Sequence, residues 1–493
     1  MSPLALGAIL GSLVLLGLRL WLGTRVGYGD AEALYASYAS FPQPGYLDHP
    51  GLIGSVARWL GDGAPPPARL IHLFSAVLGG LVPWVGYFAA RRSGATQDGA
   101  LTTCLALLLF PELSVGLFGF TPDLLLVPLW LLALGAAAAA LRAPLGSATQ
   151  LAWWLLVGGA LGLGALSKVS MVMLGLALLA VLLSPPGRPQ LKTLGPYAGL
   201  VTCAILLMPL ALWERGQGYP MLTHRLVTTQ GEAGFSLRNL GALIGGQLLY
   251  ATPPFLIGGY WVLRRLRPLS ELTHRLLAAA IYVPLVGLGL LCLWSPVAEP
   301  HWLGPAYLAA AVGLGLMPEV ATRWLRRSAV ILGVFVWALG ALLVGTDLAP
   351  RLLKGTYEPR YDLANDLYAW RSGLEVVRQT VTEARARRPG AALTVVAPHW
   401  TLCAQVHAGL AGDVDVGCQT PGGDDFQLWW PEARWAGAEQ LVYVTDDRFQ
   451  VNLTERFPKR RAVARKSSLT LRGGRVVRRV EVSLLERQDF AAR

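Results

Sequence analysis

Residues 122–141 read PDLLLVPLWLLALGAAAAAL, an apolar run whose one charge, Asp123, lies near its beginning. About 20 apolar residues in a row are enough for an α-helix to cross the hydrocarbon core of a bilayer. The whole chain shares this character, since 54% of its 493 residues are hydrophobic and 15% are charged. A soluble protein carries roughly 25% charged residues. The composition therefore excludes a soluble globular enzyme, a disordered chain, a collagen and a small disulfide-rich secreted protein. It leaves a polytopic α-helical membrane protein, because helices satisfy their own backbone hydrogen bonds in lipid.

Apolar runs of this kind recur along the first 350 residues and predict about eleven transmembrane helices. The fifth and sixth runs are short, so we expect them to be broken or tilted. The eleven runs cover residues 4–23, 69–90, 100–117, 122–141, 151–166, 169–184, 196–213, 239–263, 276–296, 303–319 and 328–346.

The net charge of +12 would suit a nucleic-acid partner, but the basic residues are distributed as in a membrane protein. They fall in alternate loops, which is the positive-inside pattern, so we expect no nucleic-acid partner. The intervening loops then face outward, and an odd number of helices places the C-terminal tail outside, opposite loops 91–98 and 264–275. The basic residues are Arg91, Arg92, Arg142, Arg188, Lys192, Arg264, Arg265, Arg267, Arg275, Arg323, Arg326 and Arg327. The outward loops are 24–68, 118–121, 167–168, 214–238 and 297–302.

The tail has the composition of a soluble domain. We therefore predict a transmembrane domain over residues 1–349 and a small extracytoplasmic α/β domain over 350–493. Within the tail, a helix is expected over Arg371–Arg388 and buried strands over Ala392–Ala397 and Gln440–Thr445. A hairpin is expected over Leu469–Leu485, because apolar alternation flanks the turn residues Gly473 and Gly474.

The five cysteines divide by position. Cys104, Cys203 and Cys292 lie in apolar runs, where a small buried side chain is the ordinary interpretation. Cys403 and Cys418 are the only pair in the tail, which the topology places in an oxidising compartment. The sequence therefore predicts a disulfide between them.

The first outward loop, 24–68, carries two carboxylates just beyond a membrane helix, Asp30 and Glu32. A carboxylate in that position can act as a general base toward a hydroxyl group that docks against it. The other interpretation is ordinary, because acidic residues are common at helix ends and in solvated loops.

Two other acidic positions have a capping interpretation beside a functional one. Asp48 and His49 are both possible metal ligands, but either could cap a helix that begins at Pro50. Asp123 stands in the first turn of a helix that Thr121 would cap, and capping alone is a sufficient explanation there.

Further charged residues interrupt the apolar runs on the outward side. Lys168 lies between two runs, where it needs a partner or snorkels to water. His224 and Arg225 lie in an outward loop, and Glu299 and His301 fill a very short one. Together these positions collect acids and bases on one side of the membrane.

At these residues the chain resembles the GT-C superfamily of glycosyltransferases, in the bacterial group related to protein O-mannosyltransferases and lipid A aminoarabinose transferases. Six pieces occur in family order between residues 28 and 309, and DLYAW (366–370) and FQLWWP (426–431) resemble the family's soluble appendage. The six are GDAEALYASYA (29–39), GYLDHPGLIG (45–54), FTPDLLL (120–126), LGALSKVSMV (163–172), GGQLLYATPPFL (245–256) and VAEPHWLGPAYLA (297–309). The chain departs from the family where Ala31 separates Asp30 from Glu32, because the family has an adjacent Asp-Glu pair.

The resemblance implies a GT-C fold in a bacterial inner membrane and an inverting transfer of a hexosyl or pentosyl group from a polyprenyl-phosphate donor on the outer face. Asp30 or Glu32 would be the base, and Lys168, Arg225 and His301 would stabilise the leaving phosphate. Glu299 would orient His301 or, like Asp48, His49 and Asp123, support the substrate or a metal. A divalent metal is open, since nothing in the sequence requires one. The acceptor, whether lipid, glycan or protein, does not follow from the family.

Two other classes of protein fit the composition. A secondary transporter also has many helices and intramembrane charges, but it should show inverted repeats and broken helices near the midplane. A membrane-anchored binding or assembly protein for envelope glycans would use the tail as its working part. Substituting the first-loop acids would abolish a transferase and leave such a scaffold intact.

Overall fold

The computed structural model describes residues 2–231, 233–267, 269 and 271–488. Parts of three predicted segments lie outside the described residues: residue 232 of loop 214–238, residues 268 and 270 of loop 264–275, and residues 489–493 of the tail.

Most of the described chain before the tail is helical. In chain order the helices are α1 (Pro3–Gly23), α2 (Asp30–Ser37), α3 (Leu52–Gly61), α4 (Ala68–Ser93), α5 (Gln97–Leu109), α6 (Pro111–Gly116), α7 (Pro122–Arg142), α8 (Ala148–Ser167), α9 (Val172–Leu183), α10 (Gly195–Gly216), α11 (Pro220–Leu226), α12 (Leu237–Tyr250), α13 (Thr252–Arg265), α14 (Leu272–Trp294), α15 (Gly304–Leu314), α16 (Glu319–Gly345) and α17 (Leu348–Leu353).

All eleven predicted runs are helical, but they differ in length. Among the described residues, seven helices are long and apolar enough to cross a membrane, or up to eight with α12 and α13 counted as one span. The chain is therefore a multi-pass membrane protein. The runs near 100–117 and 169–184 form shorter apolar helices, and the run near 303–319 forms the 11-residue α15. The fifth run was expected to be short, but it forms the 20-residue α8, which is long and apolar enough to cross a membrane.

The predicted single span 239–263 is wrong as one straight helix. It forms α12 and α13, whose axes meet at 94°. Thr252 at the junction has a left-handed φ of 62° and is followed by Pro253 and Pro254. A residue before proline avoids the α conformation, and proline supplies no backbone N–H to continue the preceding helix.

The described chain packs as two compact units, each assembled from separate segments. The first, called the helical unit, comprises the chain up to Arg19, Pro44–Leu52 and Phe74–Leu339. The second, called the mixed unit, comprises Leu20–Gln43, Ile53–Leu73 and the described chain from Gly340 onward. The sequence predicted one boundary, after residue 349, and placed the whole first loop in the transmembrane domain.

Helices of the helical unit differ in how much of their surface the protein covers. In the most apolar stretch of α7, 78% of the residues are buried, against 17% in α10. Leu200, Ile205 and Leu212 of α10 are exposed, as expected of side chains that face lipid. Helix α10 packs closely on α8 because Gly158 and Gly199 meet there, and a Cβ at Gly158 would stand 2.0 Å from the Gly199 carbonyl oxygen. Small residues at such crossings let membrane helices approach closely.

The tail forms an α/β structure around one sheet. Its strands are β1 (Leu393–Ala397), β2 (Val416–Cys418), β3 (Gln440–Asp446), β4 (Arg460–Arg472) and β5 (Arg475–Arg487). Its helices are α18 (Arg371–Arg387), α19 (Trp400–Gly409), α20 (Asp425–Trp429), α21 (Glu432–Trp435) and α22 (Leu453–Arg456). The sheet order is β2-β1-β3-β5-β4, with β1 parallel to β2 and β3, and β5 antiparallel to β3 and β4.

The predicted tail elements are confirmed. The helix, both buried strands and the hairpin occur, and Gly473 and Gly474 at the hairpin turn both have positive φ. In the register, Val395 of β1 lies between Val416 of β2 and Val442 of β3. The predicted disulfide is also present, since Cys403 of α19 is bonded to Cys418 of β2.

Candidate active site

In the helical unit, Lys168 and Asp123 form a close ion pair. Asp123 stands in the first turn of α7, and Lys168 directly follows the last residue of α8. The Lys168 ammonium Nζ donates to both carboxylate oxygens of Asp123, at 2.7 and 2.9 Å. Thr121 occupies the N-cap position of α7 without a side-chain capping bond. Lys168 therefore has a specific partner, and Asp123 does more than cap its helix.

A second group forms around Asp48, which lies between the first predicted span and α3. Arg225 of α11 donates from Nε to the Asp48 carbonyl oxygen at 3.0 Å, and its Nη2 lies 3.2 Å from Asp48 Oδ1. Nε2 of His224 lies 3.7 Å from the same carboxylate. Nε2 of His49 lies 3.4 Å from Arg225 Nη2. Arg225 is thus held by neighbours that lie more than 170 residues away in the chain.

His49 connects this group to the Lys168–Asp123 pair. Burial, together with the positive charges of Arg225 and Lys168, holds the pKa of His49 well below its ordinary value. The imidazole is therefore neutral at pH 7, which lets it accept a hydrogen bond from a cation instead of repelling it.

Glu299 and His301 extend the same cluster. Their side chains meet at 3.1 Å between the Glu299 carboxylate and His301 Nδ1. The hydrogen bond with His301 lowers the pKa of Glu299, against burial, and the charge of Lys168 acts in the same direction. The structure thus brings together seven predicted residues, called here the helical-unit cluster. They are Asp48, His49, Asp123, Lys168, Arg225, Glu299 and His301.

The sequence reasoning overlooked Glu112 at the start of α6. The Glu112 side chain lies within electrostatic range of Asp123 and Lys168. Its Oε2 atom is buried and has no hydrogen-bond partner among the described residues. It also packs on the backbone of Gly304, where a Cβ would stand 2.0 Å from Glu112 Oε1. A glutamate after proline looks like an ordinary first-turn acid, so the sequence offered no signal for it.

A metal site is the remaining question for these residues. Among the described residues, no group of three or more His, Cys, Asp or Glu side chains has the arrangement needed to hold a metal ion. Asp123 and Asp48 pair with Lys168 and Arg225, and Glu299 pairs with His301.

In the mixed unit, Glu32 is buried, with 4% of the residue exposed. Its Oε2 accepts a hydrogen bond from the backbone N–H of Gly29 at 2.7 Å, which is the capping box of α2. Both of its carboxylate oxygens lie 3.1–3.2 Å from Nε2 of His72. Glu32 therefore pairs with a backbone N–H at the start of α2 and with the His72 imidazole at the same time.

Asp30 is the first residue of α2, and its partners come from the tail. Gln405 of α19 donates from Nε2 to Asp30 Oδ1 at 3.0 Å, and Nη1 of Arg448 donates to Oδ2 at 2.7 Å. The Asp30 side chain keeps 15% of its surface exposed. Among the two acids, Asp30 is the more accessible.

Arg448 belongs to a larger charge network. Its Nε donates to Asp446 Oδ2 at 2.8 Å, and Arg478 of β5 lies 3.2 Å from the same carboxylate. Nη2 of Arg478 also donates to Asp366 at 2.6 Å. The sequence reasoning missed His72, Gln405 and Arg448, because each stands in a segment whose composition is ordinary.

Part of the sequence matches a protein-family model, and the fold matches solved structures. A family model described as dolichyl-phosphate-mannose-protein mannosyltransferase matches residues 67–213. No curated protein sequence matches the chain.

Three solved structures illustrate the structural likeness. The fold is similar to ArnT from Cupriavidus metallidurans in the apo state, with a TM-score of 0.67, 16% identity and 98% of each chain covered. It is similar to the same protein bound to undecaprenyl phosphate, with a TM-score of 0.66, 16% identity and 97% of each chain covered. It also resembles the oligosaccharyltransferase AglB from Archaeoglobus fulgidus, in complex with an inhibitory peptide and a dolichol-phosphate. There the TM-score is 0.51 and the identity 13%, over 88% of this chain and 69% of that one.

The structural likeness extends over nearly the whole chain, whereas the family model covers its second to seventh predicted spans. Of the six family-like motifs, those at 120–126 and 163–172 lie within the region that the family model matches, and the other four lie outside it. The chain therefore has the fold of ArnT, and residues 67–213 match the model of a glycosyltransferase family.

Proposed function

We propose that this protein is an integral-membrane inverting glycosyltransferase that moves a sugar from a polyprenyl-phosphate donor to an acceptor on the extracytoplasmic face. The observation that carries the proposal is the helical-unit cluster, where Lys168 pairs with Asp123, Arg225 pairs with Asp48, and both cations act on His49. Such cations suit the phosphate of a lipid whose prenyl chain lies against those helices. The match to the undecaprenyl-phosphate complex of ArnT supports the choice of donor.

In this proposal the cations act on the leaving group. As the bond between sugar C1 and the phosphate oxygen breaks, negative charge grows on that oxygen, and Lys168, Arg225 and His301 stabilise it. Asp123, Asp48 and Glu299 hold these three side chains in place before the donor arrives. Because the cations are already ordered, little reorganisation is needed when the charge develops.

Asp30 is our choice for the base. It takes the proton of the acceptor hydroxyl while the hydroxyl oxygen attacks C1 from the side opposite the phosphate, which inverts the anomeric centre. Arg448 and Gln405 orient the Asp30 carboxylate. A carboxylate has roughly four lone-pair sites, and each of these two side chains occupies one of them. The Asp30 carboxylate can therefore still accept a hydrogen bond from a substrate hydroxyl. Glu32 suits the role less well, because it already caps α2 and contacts His72.

The topology belongs to the same proposal. With eleven spans and basic loops inside, the tail and the first loop face outward, in a bacterial inner membrane. Single cysteines introduced at exposed Arg267 and at exposed Gly390 should label from opposite sides of intact cells or vesicles. Labelling from the same side would require an even number of crossings between them and would break the topology.

The donor assignment is tested on the full-length protein purified in detergent. Mass spectrometry of co-purified lipid should detect a polyprenyl phosphate, and a Lys168→Ala, Arg225→Ala double variant should retain much less of it. A Lys192→Ala, Arg188→Ala variant changes the same charge in a different loop and is the matched control. If neither co-purified nor added polyprenyl-phosphate sugars bind, and no sugar is transferred from them, the proposed function is wrong.

A further inference from the structure

The mixed unit contains a cavity of about 830 Å³. Its wall is built from the first loop, from the segment before α18 and from α18, α19 and β4. Its volume lies within the range of roughly 300–1,000 Å³ that is usual for small-molecule sites. We propose that this cavity binds the acceptor, and that the acceptor is a short glycan carrying an acidic group. The inference rests on the proposed function and names the substrate class for the same reaction.

The cavity is joined to the proposed base by a single side chain. Gln405 lies in the wall and is fully buried. Its Nε2 donates to Asp30 Oδ1 at 3.0 Å and lies 3.1 Å from the Tyr28 carbonyl oxygen. Tyr28 is also part of the wall. A ligand held in this cavity is therefore held beside Gln405, which orients Asp30.

The wall carries polar atoms that the described residues leave unpaired. Gln405 Oε1 and the indole Nε1 of Trp370 are buried and have no hydrogen-bond partner there. Burying an acceptor and a donor without partners costs free energy, which a ligand that supplies the missing hydrogen bonds recovers. A sugar hydroxyl both donates and accepts, so it matches one acceptor and one donor equally well.

Aromatic rings and hydroxyl groups line the same cavity. The Tyr28 hydroxyl donates to the Pro66 carbonyl oxygen at 2.6 Å, and the Tyr368 hydroxyl donates to that of Val344 at 2.7 Å. These bonds hold the rings in place. Fixed rings offer flat apolar faces to the C–H face of a pyranose. Ser372 and Thr470, whose hydroxyls lie 2.9 Å apart, add polar contacts on another part of the wall.

Two arginines in the wall indicate that the cavity prefers a negatively charged ligand. Arg25 and Arg371 line the cavity, and neither forms an ion pair with a carboxylate among the described residues. Arg25 stacks on Trp21 at 4.7 Å, and Arg371 lies against the Arg25 carbonyl oxygen. The third arginine, Arg378, is paired with Glu375 at 3.1 Å. The cavity thus has an excess of positive charge, which suits a carboxylate or phosphate on the glycan.

The experiment measures binding of small probes to the full-length protein in detergent, without turnover, by saturation-transfer NMR and titration. The probes are trigalacturonate, a phosphorylated maltotriose, neutral maltotriose and an uncharged hexapeptide. We expect one or both acidic trisaccharides to bind at least tenfold more tightly than maltotriose, and the peptide not to bind. An Arg25→Gln, Arg371→Gln double variant should weaken that binding by about tenfold or more, as for loss of a hydrogen bond to a charged group.

The Arg387→Gln variant is the control, since Arg387 is an exposed arginine of α18 that does not line the cavity. Trp370→Phe keeps an aromatic ring and removes the indole N–H. It should therefore weaken the binding of all the trisaccharides to a similar degree. The inference would be overturned if the peptide bound more tightly than the acidic trisaccharides. It would also be overturned if every probe bound the double variant as tightly as it binds the wild type. Those outcomes leave donor binding untouched, whereas failure of donor binding with normal probe binding would overturn the proposed function.

Discussion

The helical unit and the mixed unit both hold charged side chains away from water, and they do so in different ways. In the helical unit, Lys168 and Arg225 each meet a carboxylate close to a helix end. In the mixed unit, Asp30 is held by an amide and by an arginine that itself bridges to Asp446. The first arrangement presents cations and the second presents a carboxylate.

This difference matches the two demands of the proposed reaction. A leaving phosphate needs positive charge that is already in place, while an acceptor hydroxyl needs a base. Cations near apolar helices suit a lipid-linked group. A carboxylate held by polar side chains of the tail suits a polar acceptor. Each prediction below acts on one unit and is expected to leave the other unchanged.

The largest effect is expected for the acids of the mixed unit. Asp30→Asn keeps the size of the side chain and removes its basicity. Loss of a positioned base lowers the rate by roughly 10²–10⁴-fold, or about 3–5 kcal/mol in the barrier. Transfer from a polyprenyl-phosphate sugar should fall accordingly, with donor affinity measured separately and nearly unchanged.

Asp62→Asn is the matched control, since Asp62 is exposed and its left-handed φ of 50° is one that asparagine tolerates. Glu32→Gln tests the other candidate. If Glu32→Gln lost the activity and Asp30→Asn kept it, the base would be Glu32. Near-normal turnover in the double variant would remove both acids and move the search to Asp48 and Glu299.

The disulfide is the next test, and it acts on the mixed unit alone. Cys403 and Cys418 are 15 residues apart, and closing a loop of that length stabilises a fold by about 3 kcal/mol on the chain-entropy model. The Cys403→Ala, Cys418→Ala variant should therefore unfold at lower denaturant concentration. Donor retention by the helical unit should persist at denaturant concentrations that unfold the tail. Unchanged unfolding of the tail would show that the bond contributes nothing.

Acid should also destabilise the mixed unit. His407 of α19 is buried, and burial lowers its pKa from 6.5 to about 4. Below about pH 6.5 the unfolded chain binds a proton that the folded chain does not. The free energy of unfolding therefore falls by about 3 kcal/mol as the pH drops from about 6.5 to about 4.

Above pH 6.5 the contribution of neutral His407 to the free energy of unfolding is fully present. His407→Gln should flatten the dependence measured by tryptophan fluorescence in urea. His274→Gln in the helical unit is the control, and it should leave the tail transition as steep as in the wild type. An equally steep loss of stability in the His407 variant would assign it to other groups.

The smallest expected effect concerns the helical unit. Lys168→Ala removes one charged contact to the donor phosphate, and a hydrogen bond to a charged group is worth about 1.5–3 kcal/mol. Donor affinity should weaken by roughly 10- to 100-fold, measured by titration with a fluorescent polyprenyl phosphate. The phosphate is contacted before the transition state, so binding and turnover should fall together. A loss confined to turnover would place Lys168 away from the bound donor.

Much of the helical unit was predictable from local sequence. A charged residue between two apolar runs is costly unless it is paired, so Lys168 stood out before its partner was known. Glu299 and His301 stood out because they fill a very short outward loop. The hairpin at Gly473 and Gly474 and the buried strands followed from short patterns in the same way. The bend between α12 and α13 was missed, because hydropathy over 239–263 continues through Pro253 and Pro254 without a break.

The partners of the acids were not predictable. Gln405, Arg448 and His72 are common residue types in ordinary segments, and nothing nearby in the chain marks them. The same is true of Glu112, which looks like a first-turn acid and lies against Gly304 in the fold. Their roles depend on which segments meet, and composition and periodicity carry no information about that.

The sequence by itself determined that the chain spans a membrane, where its helices occur and which superfamily it resembles. These properties depend on runs of about 20 apolar residues and on short motifs, which are local. Only the tertiary structure decided how the two acids differ. Asp30 finds Gln405 and Arg448 at separations of 375 and 418 residues, while Glu32 is buried against His72, 40 residues away. The physical reason is that hydrogen bonds and ion pairs act over a few ångströms, so a side chain's environment exists only once distant segments have packed together.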